Sequence, residues 1–428
     1  MKTDISGYFD LIVVGAGTGG WPAAVGAARA GASVLLLEED EFAGGAPVDN
    51  YITMPCGEYV TGVYAELIEA LERRHRLPVA EHGPIPKLWS RWFLPSSFRI
   101  EIERIIAAEK NITFISGLKV QQPIVETSGN ESRVKGALIS VNGREIKVRA
   151  GIVIDATGSG LFAESSGAAV MYGSEEREVF GEAHAYRETT KRVQQCTLMY
   201  VAQRIGDDHL DFRAKGLRTG VDPEFGWLER NYDTAMKRSC GIYLTWGASV
   251  ECADTRDETC LSDSRKEAMA ILRDQVAVLH EHGHLVHLAP RMGVRECRRI
   301  VGEDILTESR LRAGKFPEDT IAVGNWFLDN WGGDIAEEDR QVPPYGIPLR
   351  AFTPKGTLNL VMACKAISIS HVAFSSWRVQ PTVAAAGQAV GVAGALAAGR
   401  GVDVRDLDFA LIRDELAADP QGYQLDFQ

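Results

Sequence analysis

A glycine-rich turn near the start of the sequence constrains the fold of this chain more than any other feature. The segment GAGTGG at residues 15–20 follows a short apolar run and precedes an alanine-rich run. Its spacing is Gly-x-Gly-x-x-Gly: Gly15 allows a tight turn, Gly17 lets the backbone approach a pyrophosphate, and Gly20 allows a helix to pack closely on a strand. The start of the following helix adds free N–H groups and the positive end of a dipole. The pattern therefore predicts a phosphate-binding loop.

An acidic residue completes this pattern. The predicted strand at residues 33–37 ends at Glu38, whose carboxylate can accept hydrogen bonds from ribose hydroxyl groups. A strand is also predicted at residues 10–14 and a helix at residues 21–30. The segment thus has the full strand–loop–helix–strand–acid order of a dinucleotide-binding unit. This order predicts a dinucleotide cofactor, but it does not distinguish FAD from NAD.

Alternating strand and helix signals predict the fold class. Apolar periodicity predicts, in chain order, a helix at residues 97–110, strands at residues 111–116, 134–141, 146–154 and 358–362, and a small-residue helix at residues 381–398. Such alternation is typical of an α/β, Rossmann-like domain with a parallel sheet flanked by helices. Aromatic residues, arginines and isolated polar clusters become more frequent between residues 172 and 342. We therefore predict that a domain of residues 1–171 and 343–428 is interrupted by an α+β substrate domain, or cap, of residues 172–342.

Composition disfavours several classes of partner. The chain has 46 Lys and Arg against 58 Asp and Glu, a net charge of −12, whereas nucleic-acid binding needs a basic surface. Its seven cysteines include no C-x-x-C pair, which disfavours zinc and iron–sulfur sites and fits the reduced thiols of the cytoplasm. No signal-peptide pattern is present, and the apolar stretch at residues 384–398 is shorter than the roughly 20 residues of a membrane span. We expect a cytoplasmic protein with no nucleic acid, metal or membrane partner.

Three later segments favour FAD. Gly44 and Gly45 follow the acidic residue after a short loop, residues 152–158 have the sequence IVIDATG, and RVQPT at residues 378–382 precedes GQAVG at residues 387–391. These segments resemble the FAD signatures of glutathione-reductase-type flavoproteins. The resemblance implies that the N-terminus of the last helix points at the pyrimidine ring of the flavin, where its positive dipole end stabilises negative charge.

More closely, the chain resembles the bacterial FAD-dependent oxidoreductase family, which is distantly related to fumarate reductase flavoproteins. The matching segments are residues 293–303, 344–350, 354–356 and 370–379, so the resemblance spans nearly the whole chain. It implies a Rossmann-like FAD-binding domain, with FAD held noncovalently because no covalent-flavin motif is recognisable. The predicted cofactor-binding residues are Gly15, Gly17, Gly20, Glu38, Gly44, Gly45, Val120, Asp155, Gly158, Gly387 and Gln388.

Two departures from the family pattern fall near the expected substrate face. Relatives often carry Asp-x-His where this chain has Asp329, Asn330 and Trp331. They commonly carry Gly-Arg where this chain has Cys364 and Lys365. Because of these changes, no substrate can be carried over from the resemblance.

His371 is the first candidate for the base that accepts a proton in flavin-dependent dehydrogenation, because imidazole titrates near neutral pH. It follows a predicted strand and leads into the C-terminal FAD segment. The alternative is a structural histidine that is hydrogen-bonded in the interior. Asp329 and Tyr345 are weaker candidates.

Arg378 and Arg295 are the candidates for binding negative charge. Arg378 can neutralise the flavin or the substrate, or it can brace the C-terminal helix. Arg295 belongs to a basic cluster with Arg298 and Arg299, in which one guanidinium can hold a carboxylate by two parallel hydrogen bonds. The alternative is a set of salt bridges between this cluster and the acids Glu296, Glu303 and Asp304.

Four nearby histidines, at positions 280, 282, 284 and 287, resemble a metal cluster. His280 and His284 would share a helix face, as in H-E-x-x-H sites. Gly283 interrupts the helix, however, and no appropriately placed glutamate follows the pattern. A solvated helix end is therefore favoured, and no metal is predicted.

The sequence thus predicts an FAD-dependent oxidoreductase that transfers a hydride between a small polar metabolite and noncovalently bound FAD. One alternative is an FAD monooxygenase, which the lack of a second Gly-x-Gly-x-x-Gly segment disfavours. Others are an RNA-modifying flavoprotein, which the acidic charge disfavours, and a non-catalytic flavin-binding module. We expect a small-molecule substrate and an unidentified electron acceptor, with homo-oligomer formation left open.

Overall fold

The computed structural model describes residues 7–57, 59–75, 92–129, 131–141, 143–205, 217, 220–222, 226–227, 241–331, 333 and 335–425. The strands are β1 (Tyr8–Val14), β2 (Val34–Leu37), β3 (Ile112–Ile115), β4 (Val120–Ser128), β5 (Glu131–Val141), β6 (Arg144–Asp155), β7 (Val170–Met171), β8 (Cys196–Arg204), β9 (Gly220–Asp222), β10 (Gly226–Trp227), β11 (Ile242–Val250), β12 (His284–Leu288), β13 (Arg299–Ile300), β14 (Thr320–Gly324), β15 (Tyr345–Pro348), β16 (Thr357–Leu358) and β17 (Leu360–Met362).

The α-helices are α1 (Gly20–Arg29), α2 (Ala46–Asp49), α3 (Gly62–Arg74), α4 (Pro95–Ala108), α5 (Leu161–Ser165), α6 (Arg177–Phe180), α7 (Glu258–Glu281), α8 (Glu308–Ala313), α9 (His371–Trp377), α10 (Gln380–Arg400) and α11 (Phe409–Ala417). Single turns of 3-10 helix lie at Glu337–Asp339, Leu349–Ala351 and Val404–Asp406.

Parallel pairing around β1 builds the main sheet. β1 lies between β2 and β6, β3 pairs with β2, and β17 pairs with β6, all in parallel. The register aligns Val14 with both Leu37 and Asp155, and Asp155 with Met362. Because parallel strands end at the same edge, the loops that follow these five strands meet there, and this is the edge at which open α/β sheets bind ligands.

Beyond the parallel strands, the main sheet continues as an antiparallel meander of β4, β5 and β6. β4 pairs with β5 and β5 pairs with β6 in antiparallel fashion, which the sequence did not predict. The reason is connection length: β5 ends at Val141 and β6 begins at Arg144, and so short a link joins only antiparallel strands. The predicted α/β class, with a mostly parallel sheet flanked by helices, is confirmed.

Helices α1 and α10 pack against each other through their backbones. A Cβ atom on Gly387 would overlap the carbonyl oxygen of Gly19, and one on Gly391 would overlap that of Ala23. Only glycine permits so close an approach. The contact fixes the start of α10 beside the loop that precedes α1.

Helix α10 is the one helix among the described residues that is long and apolar enough to cross a membrane. Its most apolar window has a mean hydropathy of 1.4, but 83% of that window is buried inside the protein. Burial on all sides is the usual reason for such a composition in a core helix.

A second sheet lies within the predicted cap. Its order is β10-β9-β11-β8-β12, its pairings are antiparallel, and it shares a separate hydrophobic cluster with α7. The chain rejoins the main core before the predicted residue 343, because Ile300, Leu306, Ile321 and Leu328 are buried in the main cluster. β14, inside the predicted cap, also pairs with β15, outside it.

The predicted elements agree with the observed ones to within three residues at each end, apart from the strand at residues 358–362. This strand divides into β16 and β17 because Asn359 has a φ of +59°. Asparagine tolerates this left-handed conformation better than most residues. The backbone N–H of Asn359 donates a hydrogen bond to Oδ2 of Asp403 at 2.6 Å.

We expect Gly391→Ala to destabilise the protein by about 1–3 kcal/mol, because the added methyl group would force α1 and α10 apart. The measurement is the free energy of unfolding in urea. Gly399→Ala is the matched control in the same helix, where an added Cβ has nothing within 4 Å. Equal effects of the two substitutions would contradict the close-contact explanation.

Candidate active site

The glycine loop forms an anion-binding cradle at the C-terminal edge of β1. Gly15 has a φ of +104°, and its backbone N–H donates to Leu37 O at 2.8 Å. Across the described residues, the backbone N–H groups of Gly17, Thr18 and Gly19 have no hydrogen-bond acceptor. Unpaired N–H groups at a helix N-terminus attract phosphate. The loop therefore fits the pyrophosphate of a dinucleotide.

The glycines at positions 44 and 45 lie against this loop. Gly44 N–H donates to Ala16 O at 3.0 Å, and a Cβ on Gly17 would lie 3.7 Å from the Gly45 Cα atom. Gly20 packs against Gly15 at the start of α1, where a Cβ atom would overlap the Gly15 carbonyl oxygen. All five predicted glycines of the N-terminal part are thus brought together.

Glu38 is fixed beside the same loop. Its Oε2 atom accepts from Ala16 N–H at 2.6 Å, and its Oε1 atom accepts from Asp40 N–H at 3.1 Å. Burial raises the pKa of the Glu38 carboxyl above its ordinary value, although these N–H groups act in the opposite direction. Its position at the end of β2 is the one in which ribose hydroxyls can be recognised.

Asp155 organises the neighbouring turn from inside. It is fully buried and accepts hydrogen bonds from Thr157 N–H at 2.9 Å, Thr157 Oγ1 at 2.7 Å and Ala163 N–H at 2.8 Å. Gly158 lies in this turn with a φ of +75°. The Asp155 carboxylate thus fixes the turn at residues 155–163, which lies beside the glycine loop, through hydrogen bonds within the protein.

Gly387 and Gln388 are the predicted cofactor-binding residues of the C-terminal part. They lie two turns inside α10, whereas the helix begins at Gln380. The Gln388 amide is occupied at both ends, because Oε1 accepts from Val63 N–H at 2.8 Å and Nε2 donates to Asp419. Both residues therefore serve the packing of α10 and not its N-terminus, because the backbone contact with α1 takes up this part of the helix.

Val120 stands apart from these glycines along the chain. It is the first residue of β4, and it is partly buried against the main core.

A group of polar side chains, which we call the junction, lies where α9 leads into α10. It consists of Gln194, Arg295, Asp329, Lys365 and Arg378. Arg378 directly follows the last residue of α9. Its Nε atom donates to Gln194 Oε1 at 2.9 Å, and its Nη2 atom donates to Asp329 Oδ2 at 2.9 Å. These contacts hold a guanidinium beside the N-terminus of α10.

Arg295 joins the junction from the cap. It donates from Nη1 to Gln195 O at 2.6 Å and to Thr197 Oγ1 at 2.6 Å. Its guanidinium carbon lies 4.2 Å from the ring centroid of Trp331, a cation–π contact. Trp331 in turn donates to Asp329 Oδ2 at 3.1 Å. Trp331 thus links Arg295 to Asp329.

His371, the first residue of α9, forms a buried pair with Glu296. Nδ1 of His371 lies 3.0 Å from Oε1 of Glu296, and the two residues are 3% and 0% exposed. Oε2 of Glu296 also accepts from Gln194 N–H at 3.1 Å, which connects the pair to the junction. Nε2 of His371 has no hydrogen-bond partner in the described chain and is not fully enclosed. A histidine that is oriented by a carboxylate and open at Nε2 is arranged as a general base.

The other members of the basic cluster form salt bridges, as the alternative interpretation held. Arg298 pairs with Glu164, and Arg299 pairs with Glu175 at 2.8 Å and with Glu296 at 3.2 Å. The expected partners Glu303 and Asp304 bind other arginines instead.

Tyr345 is a core residue. It is 1% exposed, its hydroxyl group lies 2.8 Å from Ser376 Oγ, and burial raises its pKa well above the ordinary value. This environment does not suit a proton acceptor.

The sequence analysis did not assign several residues to the site. Glu296 lies in the matching segment 293–303 but was named only as a salt-bridge partner, and Lys365 was named only as a departure from the family pattern. Gln194 and the loop of residues 51–57 carried no sequence signal. Two observations place this loop at the site. Gln380 Nε2 donates a hydrogen bond to Ile52 O, and the charges of Asp329 and Arg378 influence the pKa of Cys56.

The four histidines do not share a helix face. α7 ends at Glu281, and His284 is a buried residue of β12 whose Nδ1 atom lies 2.9 Å from His282 O. Within the described ranges, no group of three His, Cys, Asp or Glu side chains could hold a metal ion.

Comparison with known proteins identifies a family. The family model described as FAD dependent oxidoreductase matches residues 10–416. A geranylgeranyl bacteriochlorophyll reductase-like protein from Thermoplasma acidophilum is similar at 13% identity, with 95% of this chain and 82% of that chain covered and a TM-score of 0.46. A triple mutant of a flavin-dependent brominase is similar at 15% identity, with 95% and 84% covered and a TM-score of 0.40. No curated protein sequence matches significantly.

We expect Glu38→Ala to weaken FAD binding, because the lost charge-assisted hydrogen bond contributes on the order of 1.5–3 kcal/mol. The measurement is the dissociation constant of FAD from reconstituted apoprotein. Glu39→Ala is the matched control, since Glu39 is exposed and pairs with Arg291 at 2.8 Å. Unchanged affinity in Glu38→Ala would assign the ribose contact to another group.

Proposed function

We propose that this chain, which belongs to the FAD dependent oxidoreductase family, oxidises a small polar metabolite by transferring a hydride from it to noncovalently bound FAD. The observation that carries the proposal is the hydrogen-bonded path from His371 through Glu296 and Gln194 to Arg378. It joins a candidate base to a fixed cation beside the N-terminus of α10.

The cradle supplies the groups that fit FAD. Free N–H groups of the glycine loop suit the pyrophosphate, and the Glu38 carboxylate suits the ribose. Bound FAD would supply a two-electron acceptor for the hydride. The positive end of the α10 dipole and the Arg378 guanidinium would stabilise negative charge on bound FAD near the start of this helix.

His371 is proposed to remove the substrate's proton. When an alcohol or an amine is oxidised, its carbon loses a hydride to the acceptor and its oxygen or nitrogen loses a proton. Nε2 of the neutral imidazole can accept the proton. Glu296 accepts the Nδ1–H hydrogen bond, so it orients the ring and stabilises the imidazolium that forms. We name Glu296 a positioning residue, since it acts through His371.

A cytoplasmic location agrees with this function. The cysteines in the described part of the chain are free thiols, and the apolar helix α10 is part of the core. The proposed enzyme would need a separate electron acceptor to reoxidise its flavin.

The cofactor and reaction can be tested together. The purified protein is expected to be yellow and to release intact FAD on acid precipitation. The holoenzyme would then be mixed anaerobically with hydroxy acids, amino acids and sugars while the flavin absorbance is followed. Bleaching by one of these metabolites supports the proposal. Bleaching by NADH or NADPH alone would replace it with the monooxygenase alternative.

His371→Ala is expected to retain FAD but to slow flavin reduction by substrate by roughly 10²–10⁴-fold, the usual contribution of a general base. The measurement is anaerobic stopped-flow reduction at matched FAD content and across pH. His280→Ala is the control, because His280 is exposed at the end of α7. Near-normal reduction in His371→Ala would remove this residue from catalysis.

Glu296→Gln separates catalysis from structure. It keeps the shape of the side chain but withdraws the negative charge that stabilises the imidazolium. His371 should then be a weaker base, and the pH profile of flavin reduction should move to lower pH. A structural role alone would lower stability or FAD content and leave the profile in place.

A further inference from the structure

Lys365 is held in a fixed position at the edge of the main sheet. It follows β17 closely, and its carbonyl oxygen accepts from Trp377 Nε1 at 2.9 Å. Two residues earlier, Ala363 N–H donates to Asp155 O at 2.8 Å, and the Ala363 carbonyl packs against Gly19 of the phosphate loop. The backbone therefore fixes the direction in which the lysine side chain leaves the sheet.

The ammonium group of Lys365 has no partner. Neither a hydrogen bond nor an ion pair joins it to any described residue. The titratable groups that influence it are the thiols of Cys364, Cys297 and Cys196 and the guanidinium of Arg378. A half-buried charge without an acceptor is costly, so proteins usually pair it.

The surrounding thiols do not supply the missing negative charge. Burial raises the pKa of both Cys196 and Cys364 to about 12, so these two thiols are neutral at neutral pH. Burial also lowers the pKa of Lys365. The acidic side chain of the junction, Asp329, is already paired with Arg378 at 2.9 Å.

A second donor of the junction also lacks an acceptor. Gln194 is 1% exposed, and its Nε2 atom has no hydrogen-bond partner, whereas its Oε1 atom accepts from Arg378. Gln194 thus reaches Arg378 from the start of the cap sheet, and the charge of Arg378 also acts on Lys365, which follows β17 in the main sheet. An ammonium group and an amide N–H are both donors, and the two oxygens of a carboxylate can accept from both.

We propose that Lys365, with Gln194, binds the carboxylate of an organic-acid substrate at the junction. This rests on the proposed function, because it names the substrate class of the same active site. Lysine serves as a compact point charge here. The bound carboxylate would complete the pairing of the ammonium group and turn the reacting carbon toward the cofactor.

The test is a binding titration that needs no turnover. The holoenzyme is titrated with acetate, propionate and inorganic phosphate, and both the flavin absorbance change and the thermal unfolding midpoint are recorded. Binding of the carboxylates to the wild type and a loss of about 10–100-fold in Lys365→Met are expected, as for the loss of a charge-assisted hydrogen bond. Lys355→Met is the matched control, because Lys355 is exposed and lies outside the junction.

Lys365→Arg provides a pH readout that packing alone would not move. Because burial lowers the lysine pKa, wild-type carboxylate affinity should fall with rising pH before the pH reaches the ordinary lysine value of about 10.4. Lys365→Arg should bind with an affinity that is nearly independent of pH over this range, since arginine stays charged. The other groups facing Lys365, namely Cys196, Cys297, Cys364 and Arg378, are the same in both proteins.

Three outcomes would overturn the assignment. Equal carboxylate affinity in wild type and Lys365→Met would remove Lys365 from binding. A loss of FAD content in Lys365→Met, without a change in anion affinity, would assign the lysine to the cofactor. Tighter, Lys365-dependent binding of phosphate would replace the carboxylate by a phosphate ester. Carboxylate binding without flavin reduction by any metabolite would contradict the proposed function and leave this site in place.

Discussion

The rest of this structure depends on the contact between the backbones of α1 and α10. Gly387 faces the carbonyl oxygen of Gly19, and Gly391 faces that of Ala23, so the two helices approach without intervening side chains. Because protein interiors are close-packed, the contact leaves α10 little freedom. It therefore carries the segment that ends at Arg378 to the sheet edge where the phosphate loop begins. A site formed by the two ends of the chain becomes possible through this contact.

Balanced charge is the second constraint on the site. Taking charges out of water is costly, and close pairing offsets part of the cost. Glu296 is buried between His371 and Arg299, and Arg378 is paired with Asp329. No such pairing of Lys365 is present among the described residues, and for this reason we propose an anionic ligand beside it.

The predicted cap contributes side chains to the site. Gln194 precedes the first strand of the cap sheet, and Arg295 follows its last described strand, β12. The main sheet contributes Lys365, and the α9–α10 segment contributes His371 and Arg378. Substitutions in the predicted cap can change the side chains that meet the substrate without changing the glycine loop that binds the cofactor. This division explains why the family resemblance predicts the cofactor well but does not predict the substrate.

The sequence by itself determined the FAD-binding unit and most elements of the main sheet. Gly15, Gly17, Gly20 and Glu38 act through neighbours close in sequence, so spacing and periodicity record their roles. Only the tertiary structure decided which side chains meet at the site. Glu296 and His371 are 75 residues apart, and Gln194 and Arg378 are 184 residues apart. It also placed Gln388 in helix packing and left Lys365 without a partner. These outcomes depend on long-range packing and on where every other charge finds its partner, which no local pattern records.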